Sequence, residues 1–235
     1  MLRVLDLETT GVDPSKDHII EIASVDLTRD GGICNPRQHY VALPEGVTIP
    51  PEVSAVNHIL MEDLEGAISL SSALSIFEGA DFIVAHNAEF EASFLPADRF
   101  PRFLCTYKAA LRVWPEEKKH NLQALRYSRG HVRPFGKARS EIHPHRALSD
   151  VIVTAAIMHD LLRTGVRFSD LEAWTMEPAL HRICPIGKYR GQTFAEIART
   201  DRAYLEWIIG APSMRPDVRY SAEHALAETR KGAAA

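Results

Sequence analysis

Leu2-Arg3-Val4-Leu5-Asp6-Leu7-Glu8-Thr9-Thr10-Gly11 begins as an apolar run and ends on two acids separated by one residue. The run reads as a β-strand. Residues two apart on a strand project to the same face, so Asp6 and Glu8 point one way. Two like charges side by side are costly unless a cation lies between them. The apolar stretch before them places the pair at the strand's C-terminal end, where α/β sheets bind ligands. Taken alone, the pair fits a solvated strand end better than a metal site.

Working outward, residues 19–28 form a second apolar run with β-branched character. The turn signal Asp30-Gly31-Gly32 joins it to a third strand expected at 38–43. A Pro-rich loop spans 44–51, and short helices are expected at 53–60 and 71–77. Residues 81–85 read as a fourth, buried strand, followed by a helix from about 88 to 95 that Pro96 stops. A short fifth strand at 103–106 leads into helices at 107–113 and 121–127, and a charged, Gly- and Pro-containing loop covers 128–145. From 147 to 162, Leu148, Val151, Ile152, Ala155, Met158, Leu161 and Leu162 recur at helical spacing. Three strands in a row, then strands alternating with helices, give an α/β fold with a mixed sheet.

Beyond about residue 176 the texture changes. Residues 186–193 read as a glycine-turned hairpin or loop, with short helices at 195–199, 203–209 and 222–231. The expected organisation is a main domain over 1–175 and a small α+β extension over 176–235. The extension is too small for much core of its own, so it is expected to pack on the main domain.

Composition narrows the function classes. The chain has 235 residues, 46% hydrophobic and 25% charged, which is ordinary for a soluble globular protein. No apolar run approaches the roughly 18 to 20 residues needed to cross a bilayer. An acid at position 6 arrives too early for a signal peptide. Cys34, Cys105 and Cys184 are scattered, as expected for reduced thiols in a cytoplasmic protein. A net charge of -4 argues against a protein that coats nucleic acid. The charge is uneven, however. Residues 118–146 hold eight Lys or Arg against the single acid Glu141, and the tail from His181 carries nine basic and six acidic residues. Such runs are commonly solvated faces; beside a chemical motif they also suit a polyanion.

Two further segments carry chemistry. His86-Asn87-Ala88-Glu89-Phe90-Glu91 is a strand-to-helix junction whose acids also suit a helix N-terminus. His145-Arg146-Ala147-Leu148-Ser149-Asp150 lies at the start of the long helix. Five helical residues turn through about 500°, leaving His145 and Asp150 roughly 140° apart. His145 therefore belongs on the loop after Pro144, with Asp150 inside the helix.

Together, DxETTG, HNAxF and HRAxxD, in this order and on these elements, resemble the three motifs of the DEDDh superfamily of 3′→5′ exonucleases. That superfamily includes the epsilon proofreading subunit of bacterial replicative polymerase, ribonuclease T and exonuclease X. Ile20-Glu21-Ile22-Ala23 resembles its second strand. Val56-Asn57-His58-Ile59 resembles its "hGI" segment, with Ile59 read in place of the usual Gly. Cys105-Thr106, Arg112-Val113-Trp114-Pro115, Gly187-Lys188-Tyr189-Arg190-Gly191 and Tyr204-Leu205-Glu206-Trp207 resemble the exonuclease X branch, extending the likeness over nearly the whole chain.

The resemblance implies a ribonuclease H-like, five-stranded mixed sheet flanked by helices. It also implies two Mg²⁺ or Mn²⁺ ions held by Asp6, Glu8, Glu91 and Asp150, with His145 taking a proton from the attacking water. Leu7, Thr9 and Thr10, largely through backbone, with His58, Asn87 and Phe90, would place the terminal nucleotide. Lys188 and Arg190, flanking Tyr189, would meet phosphates or bases; a structural tyrosine with solvated cations is the alternative. One position departs from the pattern: the family has Asp where this chain has Glu91. Glutamate is one methylene longer, and Mg²⁺ demands near-ideal octahedral geometry. Three outcomes stay open: Glu91 serves, Glu89 assists, or the site is impaired or prefers Mn²⁺. The expected activity is removal of 5′-mononucleotides from single- or double-stranded DNA 3′ ends in repair or end processing. RNA trimming, a proofreading subunit, or a binding module weakened by Glu91 are the alternatives.

Overall fold

The computed structural model describes residues 1–96 and 102–233. Its sheet has the order β3-β2-β1-β4-β5, formed by β1 (Leu2–Thr9), β2 (Ile19–Leu27), β3 (Ile33–Tyr40), β4 (Phe82–Ala85) and β5 (Arg102–Cys105). β1 lies in the centre, antiparallel to β2 and parallel to β4. β3 is antiparallel to β2, and β5 is parallel to β4. The mixed α/β sheet expected from the sequence is therefore present.

Helices follow in chain order: α1 (Pro51–Asn57), α2 (Leu70–Ala73), α3 (Ala88–Ser93), α4 (Thr106–Val113), α5 (Leu122–Ser128), α6 (Ala147–Arg163) and α7 (Phe168–Met176). Strand alternation sorts β1 between two cores. Val4 joins the cluster under α6 with Ala23, Val25, Val84, Val151, Ala155 and Met158. Leu5 and Leu7 face the other way, onto Ile22, Ile76, Phe77 and Ile83. Asp6 and Glu8, in phase with Val4, therefore face α6.

Some boundaries depart from the expected ones. β3 begins at Ile33, directly after the turn, rather than at 38. Its residues are largely polar and exposed, as an edge strand allows, and Pro36 is tolerated there because edge positions leave N–H groups unpaired. α1 stops at Asn57 because His58 takes a left-handed conformation, φ 59°. The segment 168–176, to which the sequence reading assigns no element, is helix α7, which packs on β5.

The extension contains α8 (Phe194–Thr200), α9 (Arg202–Gly210) and α10 (Pro216–Ala233). Its β character is one isolated bridge, Ile183 to Thr193, beside a 3-10 turn at Gly187–Tyr189. Contrary to expectation it has a core of its own, with Cys184, Phe194, Ile197, Leu205, Ile208, Val218, Ala222 and Leu226 all buried. The Gly187 turn closes over Tyr204: a Cβ at Gly187 would lie 2.2 Å from the Tyr204 hydroxyl. The unit docks on the main domain through Arg112 of α4 to Glu177 at 2.7 Å and Arg182 to Glu116, just beyond α4, at 3.0 Å.

Candidate active site

The C-terminal half of β1 and the N-terminal turn of α6 meet, with the start of α3 close by. Ligand oxygens of Asp6, Glu8 and Asp150 all lie within 4.8 Å of one another. Burial pushes all three carboxyls up, and the charge of neighbouring carboxylates adds to it. Asp6 is raised well above the usual carboxylate range by burial and then by the charges of Asp150, Glu91, Glu8 and Glu21. Glu8 is pushed up to about 8 by burial and by Asp150 and Glu21. Asp150 is raised to about 6, also by burial; the His145 and Gln123 hydrogen bonds pull the other way.

Glu91, on α3, lies outside that group of three but near enough for its charge to raise Asp6. It is 3% exposed, and burial, with the charge of Glu8, raises it to about 8. Its Oε2 is buried without a hydrogen-bond partner. Glu89, the alternative ligand, is turned away: it accepts from Lys108 Nζ at 2.5 Å on the outside of the helix. Three clustered carboxylates, with the buried Glu91 and its orphaned oxygen nearby, form a donor set suited to hard divalent cations.

His145 stands where the sequence argument put it, on the loop before α6, exposed and with φ 59°. Its backbone N–H donates to Asp150 Oδ2 at 2.8 Å, and the Gln123 side-chain amide donates to Oδ1 at 2.7 Å. Gln123 was not singled out in the sequence; its position on α5 gives no local signal. Asn57 was passed over as well. It is 1% exposed, its Oδ1 accepts from the Ile59 N–H at 3.0 Å, and its side chain also hydrogen-bonds Glu8.

The "hGI" reading needs one correction. The left-handed position that favours glycine is His58, whereas Ile59 is fully buried in the core. His58 is exposed beside the buried Asn57. Leu7 is 5% exposed and packed in the core, and the Thr9 and Thr10 hydroxyls bond Gly11 O and Asp17. This leaves their backbone, not their side chains, to meet a ligand. Gly11 is required nearby because a Cβ there would lie 2.4 Å from the Asp17 carboxylate.

Asn87 is exposed with φ 76°, at the mouth of a cleft of about 620 Å³ between α4 and the start of α10, also lined by Tyr107 and Arg215. Beneath it His86 is held neutral: burial lowers its ring to about 4, with Nε2 on the His120 carbonyl at 2.9 Å and Nδ1 on Thr106 Oγ1 at 3.0 Å. Phe90 is half-buried against Phe94, ring centroids 5.0 Å apart.

The basic segment is less available than its sequence suggests. Arg126 is buried and bonded to backbone carbonyls, Arg129 stacks on Trp114, and Arg146 pairs with Glu21. Lys118, Lys119, Arg133 and Arg139 are exposed. In the extension, Lys188 pairs with Asp201 at 2.9 Å, Tyr189 donates to the same carboxylate, and Arg190 donates to Pro185 O. Trp207 is 57% exposed and lies against the Tyr204 ring.

A central strand bearing two carboxylates, answered by a third on the first turn of a helix across the sheet, defines a metal-dependent nuclease of the ribonuclease H-like class. The sequence profile of the exonuclease family matches residues 4–158, and that of the exodeoxyribonuclease X-like C-terminal domain matches 187–211. The chain belongs to this exonuclease family. It is 33% identical over 232 residues to exodeoxyribonuclease 10 of Escherichia coli (strain K12), covering 97% of this chain and 100% of that protein. It is 30% identical to the DNA polymerase III epsilon subunit of Aquifex aeolicus over 170 residues, 68% of this chain and 79% of that one. The structure of exonuclease X in complex with 5′ overhanging duplex DNA matches with a TM-score of 0.64 at 34% identity, covering 74% of this chain and 99% of that chain. The nuclease domain of a 3′ exonuclease described as a DEDDh family member, bound to rAMP, shares the fold at 16% identity and TM-score 0.57.

Proposed function

We propose that this exonuclease removes nucleotides from DNA 3′ ends, releasing 5′-mononucleotides, with two Mg²⁺ or Mn²⁺ ions held by Asp6, Glu8, Glu91 and Asp150. The observation that carries the reading is the convergence of Asp6, Glu8 and Asp150 within 4.8 Å, with His145 tied to Asp150 through its own backbone. When bound, such an ion pair activates water and neutralises charge on the leaving oxygen of an in-line displacement at phosphorus. The chain's own residues do the rest. His145, exposed and fixed through its backbone N–H by Asp150, accepts the proton of the attacking water, a task to which an imidazole is suited. The backbone of residues 7–10, with His58, Asn87 and Phe90, seats the terminal nucleotide. The full-length similarity to exodeoxyribonuclease 10 favours DNA as substrate and repair or end processing as the setting.

The extension joins in substrate binding. Its exposed surface carries the cations Lys188 and Arg190 and the aromatic Trp207, residue types suited to single strands. The test uses 3′- and 5′-labelled DNA and RNA incubated with Mg²⁺, Mn²⁺ or EDTA, with Asp6→Ala as control. Mononucleotide release from the 3′ label first, abolished by EDTA and by Asp6→Ala, is the expected result. Release from RNA alone would move the substrate to RNA, and no release from any substrate would defeat the reading. Among the described residues no helix is long and apolar enough to cross a membrane.

A further inference from the structure

A fifth carboxylate lies beside the cluster and is not free to bind an ion. Glu21 sits on β2 directly opposite Glu8 and, in strand phase, faces α6 as Glu8 does. It is fully buried. Both of its oxygens are occupied. Oε2 accepts from the Ala147 backbone N–H at 3.0 Å and from Arg146 Nε at 3.3 Å; Oε1 accepts from Arg146 Nη2 at 3.1 Å and from the Gln38 amide. Arg146 is held from its other side by the Tyr40 hydroxyl.

A buried carboxylate with four donors is a structural anchor, and the partners it anchors are telling. Arg146 and Ala147 are the two residues immediately after His145. Ala147 is the first residue of α6, so its N–H is one of the orphan donors at that helix end, and Arg146, in the N-cap position, offers no side-chain cap of its own. Glu21 supplies the missing acceptor from across the sheet. His145 itself has φ 59°, a backbone conformation that non-glycine residues hold only when their surroundings enforce it. Two constraints bracket it: its own N–H on Asp150, and the Glu21 clamp on the next two residues.

We propose that Glu21 is a positioning residue for the reaction: by gripping Arg146 and the Ala147 N–H it holds the His145 loop in register with Asp6 and Glu8. This rests on His145 being the proton acceptor named above. Glu21→Gln keeps the shape, but its amide turns an NH₂ toward donors, so the grip on the loop is lost.

The test is an epistasis measurement on the full chain with a 3′-labelled single strand and Mg²⁺, comparing Glu21→Gln, His145→Ala and the double variant. Glu21→Gln should lower kcat by about tenfold to a hundredfold, as loss of a supporting hydrogen bond around a metal site does. KM, and the affinity for Mn²⁺ measured by titration without substrate, should change by less than about threefold, well short of that loss. In the His145→Ala background Glu21→Gln should add no further loss, because the residue it places is gone. Equal loss in both backgrounds, or a defect confined to Mn²⁺ affinity, would overturn the proposal. An unimpaired His145→Ala enzyme would instead defeat the proton-acceptor role. Should Glu21→Gln fail to fold, Arg146→Ala removes two of the four donors and is subject to the same epistasis criterion.

Discussion

Gln123 donates its side-chain amide to Asp150 Oδ1 at 2.7 Å, and its own Oε1 accepts from the buried Arg126 at 3.3 Å, so the amide cannot flip. The α5 helix thereby sets the direction in which Asp150 presents its other oxygen. Gln123→Ala should cost about tenfold to a hundredfold in divalent-ion affinity or turnover, with little change in melting temperature. Calorimetric titration of Mn²⁺ alongside steady-state kinetics checks it; wild-type values in both would mean that Asp150 is oriented by the His145 N–H alone.

Glu91 is buried with an unpartnered oxygen among carboxylates, an arrangement that costs stability unless the oxygen has a ligand to meet. Glu91→Gln should therefore reduce Mg²⁺-supported turnover by at least about 100-fold, more than an outer-shell change does. A variant within threefold of wild type would remove Glu91 from the metal set. The companion Glu91→Asp restores the shorter arm, and higher Mg²⁺ turnover there would identify the extra methylene as a handicap.

Proton linkage gives an independent handle. Without metal, Glu8 and Glu91 titrate at about 8 against an ordinary 4.5. Between those values the native state holds protons that the unfolded chain has released, so stability falls as pH rises. The buried His86, lowered to about 4, is neutral in both states above about pH 7 and does not oppose this trend. In EDTA the melting temperature should drop from about pH 7 to 8.5. Saturating Mn²⁺ should flatten or reverse the slope, because the ions bind the deprotonated carboxylates. A melting temperature that climbs over this range in EDTA contradicts the assignment.

In the extension, Trp207 offers the exposed ring, while Tyr189 is tied to Asp201 and packed against Tyr204 at 4.9 Å. Base stacking on an aromatic is worth about 1–3 kcal/mol. Trp207→Ala in an Asp6→Ala background should weaken binding of a long single strand by about 5- to 160-fold, the equivalent of that energy, and leave a dinucleotide unaffected. Anisotropy titrations measure both, and parallel loss for the two ligands would place Trp207 outside the substrate path.

The strands and the catalytic motifs were legible because each is written in local chemistry. Apolar alternation fixes which way Asp6 and Glu8 face, and Pro144 before His145 separates that loop from the helix carrying Asp150. The extension's core was harder to see. Its apolar residues are spread over three short helices, and only their mutual packing shows that Phe194, Leu205 and Val218 share one interior. The basic stretch misled in the other direction, since charge in sequence does not reveal that Arg126 is buried or that Arg146 is paired with a residue 125 positions away.

By itself the sequence determined the central carboxylate strand, the order of the three motifs and the departure at Glu91, since all are matters of residue type and short spacing. Tertiary structure alone decided that Glu91 rather than Glu89 turns inward, that Gln123 and Asn57 hold Asp150 and Glu8, that His58 takes the left-handed turn, and that Glu21 reaches across the sheet to the His145 loop. The physical reason is the same in each case. A side chain's direction depends on which partners burial leaves within hydrogen-bonding reach, and those partners lie far apart along the chain.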